Sequence, residues 1–201
     1  MSFSKSYGYV IGFVAIVIIG WYGFVWISYD HGIVDYKESR DKIAIKKMFH
    51  DDWKMLYYGD WDQISETDFN VDFMLDNHSS SQHSANSNLI LKVLRESGQT
   101  VGFLAYYPKS PYWWHMLFLI VDQDHRGKKY AARLVQFFID DSVARGAIKL
   151  STFTRLANTK ARAVYEGQFG FKDVCHHDEK YMDLVLYPSY ATCTPKPWYR
   201  L

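Results

Sequence analysis

Little cysteine, little net charge and no internal repetition mark this 201-residue chain. Its two cysteines, Cys175 and Cys193, are too few for a disulfide framework. A formal net charge of +1 lacks the basic surplus of a nucleic-acid binder. No repeat of about 20 to 50 residues suggests a solenoid or propeller. Between Lys5 and Asp30 there is no charged residue at all. Hydrophobic residues at 48% and charged residues at 22% exclude wholesale disorder. Aromatics are abundant at 18%, and they need a core, a pocket or a membrane interface to occupy.

The uncharged stretch is the first positive signal. Tyr7 to Tyr29 reads YGYVIGFVAIVIIGWYGFVWISY, hidden by a mean hydropathy of −0.24. As a helix it covers roughly 35 Å, enough for a hydrocarbon core of about 30 Å. Tyr7, Tyr9, Trp21, Tyr22, Trp26 and Tyr29 lie toward its ends, where headgroups favour such rings. A signal peptide has a shorter apolar region and a small-x-small cleavage site, and no convincing one follows Ile27. A buried core helix is shorter and patterned. The expectation is a single-pass transmembrane helix over 7–29 after a short tail, 1–6. Lys37, Arg40, Lys42, Lys46 and Lys47 follow it, which predicts a membrane protein with its folded domain on the cytoplasmic side. Residues 30–64 form the juxtamembrane segment and first helix, and 65–201 the remainder of a domain spanning about 33–201.

Helical spacing predicts a helix over 38–58 and a shorter one capped by Ser65 or Thr67 and ending at Leu75. Asn77 to Asn88 is a polar loop, in which His78 and His83 lack the company a metal site requires. Strand-like runs follow at 89–95 and 101–107, joined by Glu96-Ser97-Gly98-Gln99. Trp113 to Val121 is almost wholly apolar, so helices should cover both of its faces. A helix over 128–144 stops at Gly146; a strand over 147–153, a helix over 158–166 and a strand over 181–187 complete a mixed α/β sheet domain. Cys175-His176-His177 reads as a loop, not a zinc fragment. Tyr106, Tyr107, Tyr112, Trp113 and Trp114 are candidates for an acceptor pocket, for core packing or for a membrane-proximal surface.

Chemistry concentrates in Val121-Asp-Gln-Asp-His-Arg126-Gly127-Lys128-Lys129-Tyr130-Ala131. A strand that turns into a helix exposes unpaired amides backed by the helix dipole, which suits an anion such as pyrophosphate. Arg126 adds charge, and Gly127 allows close backbone approach. Together with Asn158, Ala161, Tyr165 and Phe169-Gly170-Phe171, this block resembles the GNAT N-acetyltransferase superfamily. The resemblance is strong over roughly 88–174 and does not extend to the apolar segment.

The resemblance implies a central sheet splayed between the family's fourth and fifth strands, with acetyl-CoA held in the opening and no metal. Val121, Arg126, Gly127, Lys128, Lys129, Tyr130, Ala131 and Asn158 would contact it. The acceptor would be an amine of a small molecule or protein. Tyr165, two helical turns from Asn158, matches the family's general acid, though a packed core tyrosine fits the same spacing. His115 stands where some members carry a catalytic Glu; reading the strand as alternating puts it on the face of Leu117 and Leu119, as a base or as a buried histidine. Two departures stand out. Lys129 replaces the family's glycine, which favours a second reading, a fold that binds CoA or a partner without turnover. Gly167-Gln168 lengthens the step from Tyr165 to Gly170-Phe171 by one residue.

Overall fold

The computed structural model describes residues 31–56, 71–76, 88–177 and 180–188. The tail, the apolar span 7–29, the caps at Ser65 and Thr67, and His78 and His83 lie outside the described residues. Among the described residues, no helix is long and apolar enough to cross a membrane.

The elements are β1 (Gly32–Asp35), α1 (Glu38–Leu56), α2 (Val71–Asp76), β2 (Ile90–Glu96), β3 (Gln99–Ser110), β4 (Trp113–Val121), α3 (Tyr130–Ala144), β5 (Lys149–Arg155), α4 (Thr159–Arg162), β6 (Lys172–His177) and β7 (Tyr181–Leu186). They build one mixed sheet in the order β1-β2-β3-β4-β5-β7-β6. All pairs are antiparallel except β4 with β5, which run parallel. The predicted mixed α/β sheet is present, with two strands more than expected. β1 is only four residues long, and β6 (KDVCHH) is polar with Val174 exposed. Both are edge strands, which need no apolar face and so give no period-2 signal. Cys175-His176-His177 is therefore strand, not loop.

Each sheet face has its own core. Leu134, Val135 and Phe138 of α3 are fully buried on one, against Leu94, Leu104, Met116 and Leu150. Each contributes about 1.5–3 kcal/mol by leaving water. On the other face Ile45, Met48 and Phe49 of α1 cover Val93, Phe103 and Ile120. This two-sided cover explains the nearly continuous apolar run of β4.

Register in β4 departs from plain alternation. Ala105 pairs with Phe118 and Tyr106 with Met116, which leaves Leu117 as an extra residue in a β-bulge. One inserted residue reverses the facing of everything before it. Trp114 and Met116 join the α3 core, whereas Phe118 and Ile120 join the α1 core. His115 accordingly faces away from Leu119, correcting the expectation that it shares a face with Leu117 and Leu119, and Leu117 is the bulged residue itself. β4 and β5 pair only at Trp113, Trp114 and His115; beyond that the strands diverge. The Thr152 hydroxyl donates to the Met116 carbonyl at 3.1 Å, at the point where the splay begins.

Candidate active site

The open side of the splay leads to the turn between β4 and α3. Asp122 shapes its start, its Oδ1 accepting from the Asp124 amide at 3.0 Å. Gly127 has φ +82° with nothing near its missing Cβ, so backbone conformation, not crowding, demands glycine there. Lys129 has φ 61° and ψ 17°. The substituted position thus keeps the left-handed backbone that suits glycine, at a cost of roughly 1–2 kcal/mol for a residue with a Cβ. No side chain caps α3 at Lys129, and its first turn holds no acidic residue. The helix start can therefore receive an external anion.

A cavity of about 600 Å³ begins at this turn. It passes Val121, Arg126, Gly127, Lys129, Tyr130 and Ala131 and reaches Asn158 and Tyr165. Seven of the eight expected cofactor residues thus line one space; Lys128 alone does not. A second cavity of about 70 Å³ lies in the splay, between Leu117, Phe153, Arg155 and Tyr181. The two share Leu119, Asn158, Ala161 and Tyr165. The opening between β4 and β5 is thus lined from the cofactor turn to Tyr165.

Asn158 has structural work of its own. Its Oδ1 accepts from the Ala161 amide at 3.2 Å and caps α4. α4 continues into a π-helical turn, Ala163–Gln168, which absorbs the added residue at Gly167-Gln168. Past the turn, the Phe171 amide still donates to the Tyr165 carbonyl at 3.0 Å. Tyr165 is buried, its ring 5.9 Å from that of Phe171. Burial raises its hydroxyl well above the usual tyrosine value, so it stays protonated at neutral pH.

His115 lines neither cavity. Its Nδ1 lies 2.9 Å from the Ser151 hydroxyl, and its ring packs between Tyr107 and Phe153. Burial, aided by the Lys109 cation and opposed by Asp183, brings it down to about 4. It is neutral at pH 7 and a weak proton acceptor, one side chain removed from the smaller cavity through Phe153.

Nor do the clustered aromatics line either cavity. Tyr106 and Trp114 belong to the α3 core, with the Tyr106 hydroxyl donating to Asp141 at 2.6 Å. Trp113 lies beneath Lys149 and Lys109, and Tyr112 is exposed. Among the described residues no cluster of His, Cys, Asp and Glu could hold a metal ion.

Sequence reasoning missed Asp52 and His125, both on the larger cavity. Asp52 belongs to α1 and pairs with the Arg126 guanidinium, whose Nε also donates to the Val121 carbonyl at 3.1 Å. Burial holds the Asp52 carboxyl above its ordinary value against the pull of Arg126. No local motif announces a partner 74 residues away.

Residues 46–171 match the Acetyltransferase (GNAT) family. Solved structures with the same fold include a ribosomal-protein-alanine N-acetyltransferase from Brucella melitensis (15% identity, 77% of this chain and 98% of that one, TM-score 0.58). An N-acetyltransferase from Staphylococcus aureus Mu50 is similar at 19% identity, over 77% and 96%, with TM-score 0.57. So is yncA of Salmonella typhimurium, solved with its cofactor acetyl-CoA, at 15% identity over 77% and 92%, with TM-score 0.58. No curated protein matches the chain.

Proposed function

The chain belongs to the GNAT acetyltransferase family, and we propose that it transfers an acetyl group from acetyl-CoA to an amine by direct attack. The observation that carries this reading is the cavity joining an uncapped helix start to Tyr165 along a sheet held open at β4 and β5. The donor set suits the group. Backbone amides at the start of α3 and the Arg126 and Lys129 cations would hold pyrophosphate, and the open edge of β4 at Val121 would receive the pantetheine arm. When bound, acetyl-CoA supplies an activated acyl carbonyl and a thiolate leaving group.

The chain's own task is then to position and to manage protons. Tyr165 keeps its proton until the departing thiolate takes it, and regains one from solvent. His115 is not assigned the base, since it has no face on the cavity; the acceptor's proton leaves to water. Lys129 keeps the left-handed backbone of the glycine it replaces, so the turn retains the geometry that the cofactor reading needs.

Tyr165→Phe tests the acid. It should lower turnover by about 10²–10⁴-fold with CoA affinity unchanged. Undiminished turnover would refute the role.

The reading extends to the membrane. Residues 7–29 anchor the chain and the basic residues after them hold the domain at the cytoplasmic face, a proposal supported by the sequence pattern alone. Full-length protein should remain with membranes through carbonate and high-salt washing. Its recovery in the soluble fraction without detergent would remove the anchor and leave the enzymology intact.

A further inference from the structure

Arg126 is more constrained than a surface cation awaiting a phosphate. Its Nε is committed to the carbonyl of Val121, the last residue of β4, and another edge of its guanidinium to Asp52. Two fixed contacts on a planar, five-donor group leave the plane little freedom. The same stretch of α1 holds the turn at further points: the Asp51 carbonyl accepts from Gln123 Nε2 at 3.4 Å, Gln123 also hydrogen-bonds the Asp52 carboxylate, and Lys47 lies 3.9 Å from Asp122.

Two roles for Asp52 follow, with opposite signs. It could occupy Arg126 in place of phosphate and have to surrender it, or it could fix Arg126 so that its other N–H groups meet phosphate without rearrangement. Surrender would leave the Asp52 carboxylate, only 15% exposed, without its cation in surroundings that already disfavour its charge. The second role has no such cost. We propose that Asp52 is a positioning residue for the cofactor turn: it locks Arg126 across the end of β4, so that one guanidinium both secures the Val121 carbonyl and presents a fixed edge to the CoA phosphates. This rests on the cofactor reading above.

If Asp52 acts only through Arg126, its effect must vanish when Arg126 is already gone. CoA is titrated by calorimetry into detergent-solubilised full-length wild type, Asp52→Ala, Arg126→Gln and the double variant. Asp52→Ala should weaken CoA by on the order of tenfold, the scale of one charge-assisted hydrogen bond. The double variant should bind like Arg126→Gln alone, a strong non-additivity. A merely structural Asp52 would instead give losses that add. Additive losses, or unchanged or tighter binding in Asp52→Ala beside weakened binding in Arg126→Gln, overturn the proposal and leave the cofactor reading standing. CoA binding that ignores Arg126→Gln, or absent from wild type, overturns that reading as well. Should Asp52→Ala fail to fold, Asp52→Asn takes its place in the cycle, with a smaller loss expected because its amide oxygen still accepts from Arg126.

Discussion

Asp41 and Asp52 both belong to α1, and each holds an arginine of the sheet side, yet the two pairs sit in different surroundings. Asp41 is fully buried and Arg95 nearly so, with 2.6 Å between them; Asp41 also accepts from the Thr100 hydroxyl at 2.6 Å and the Lys37 amide at 2.7 Å. The Asp52–Arg126 pair borders the cavity, and its arginine is 42% exposed. Burial decides what each can do. The first pair has no solvent to fall back on and can only hold α1 to β2 and β3. The second keeps one partner in contact with water and with whatever enters the cavity, so it can serve binding.

Breaking the buried pair should produce the largest stability effect. Asp41→Ala strands a guanidinium in the interior and should lower the unfolding free energy by about 3–5 kcal/mol. Denaturant melts in detergent measure it. A loss under about 1 kcal/mol would put both pairs in the same energetic class and dissolve the contrast.

The same contrast explains which features could be read from sequence. The sequence reading of β4 has the observed bounds, because a strand covered on both faces reads as a nearly continuous apolar run, here interrupted only by His115. The cofactor turn was legible because its chemistry is local: strand end, glycine, cations and helix start follow one another within a few residues. Nothing local specifies either arginine–aspartate pair, whose members lie 54 and 74 residues apart. The bulge at Leu117 was invisible for another reason. A one-residue phase change leaves a nearly all-apolar run unaltered in composition, yet it moves His115 to the opposite face. Gly167-Gln168 reads as an added residue in the sequence, but only the structure shows the π-helical turn that accommodates it.

His115 sharpens the comparison from the opposite side, as a buried ionisable group without the close countercharge Asp41 enjoys. Its folded value, about 4, lies below the ordinary histidine value of 6.5. Between those limits the unfolded chain binds the extra proton, so this group's stabilising contribution is complete above pH 6.5 and lost as pH falls toward 4. The shift corresponds to a loss of about 3 kcal/mol. Unfolding measured from pH 4 to 7 should therefore show a shallower slope in His115→Gln than in wild type. Parallel slopes would mean that His115 titrates in the fold as it does in the unfolded chain, with Asp183 cancelling the effects of burial and Lys109.

The smallest expected stability change is the one that separates the pairs most directly. Asp52→Ala removes a carboxylate whose burial already works against its charge, and Arg126 can turn to water once released. Its unfolding free energy should move by less than about 1 kcal/mol, as for other partly exposed ion pairs. The same substitution should weaken CoA by on the order of tenfold. A variant that melts like wild type but binds CoA poorly would locate the function of this pair in the site, whereas Asp41→Ala would melt early. If Asp52→Ala instead lost stability on the scale of Asp41→Ala, the cavity pair would be a second fold clamp, and exposure of Arg126 would have been the wrong variable by which to tell the two apart.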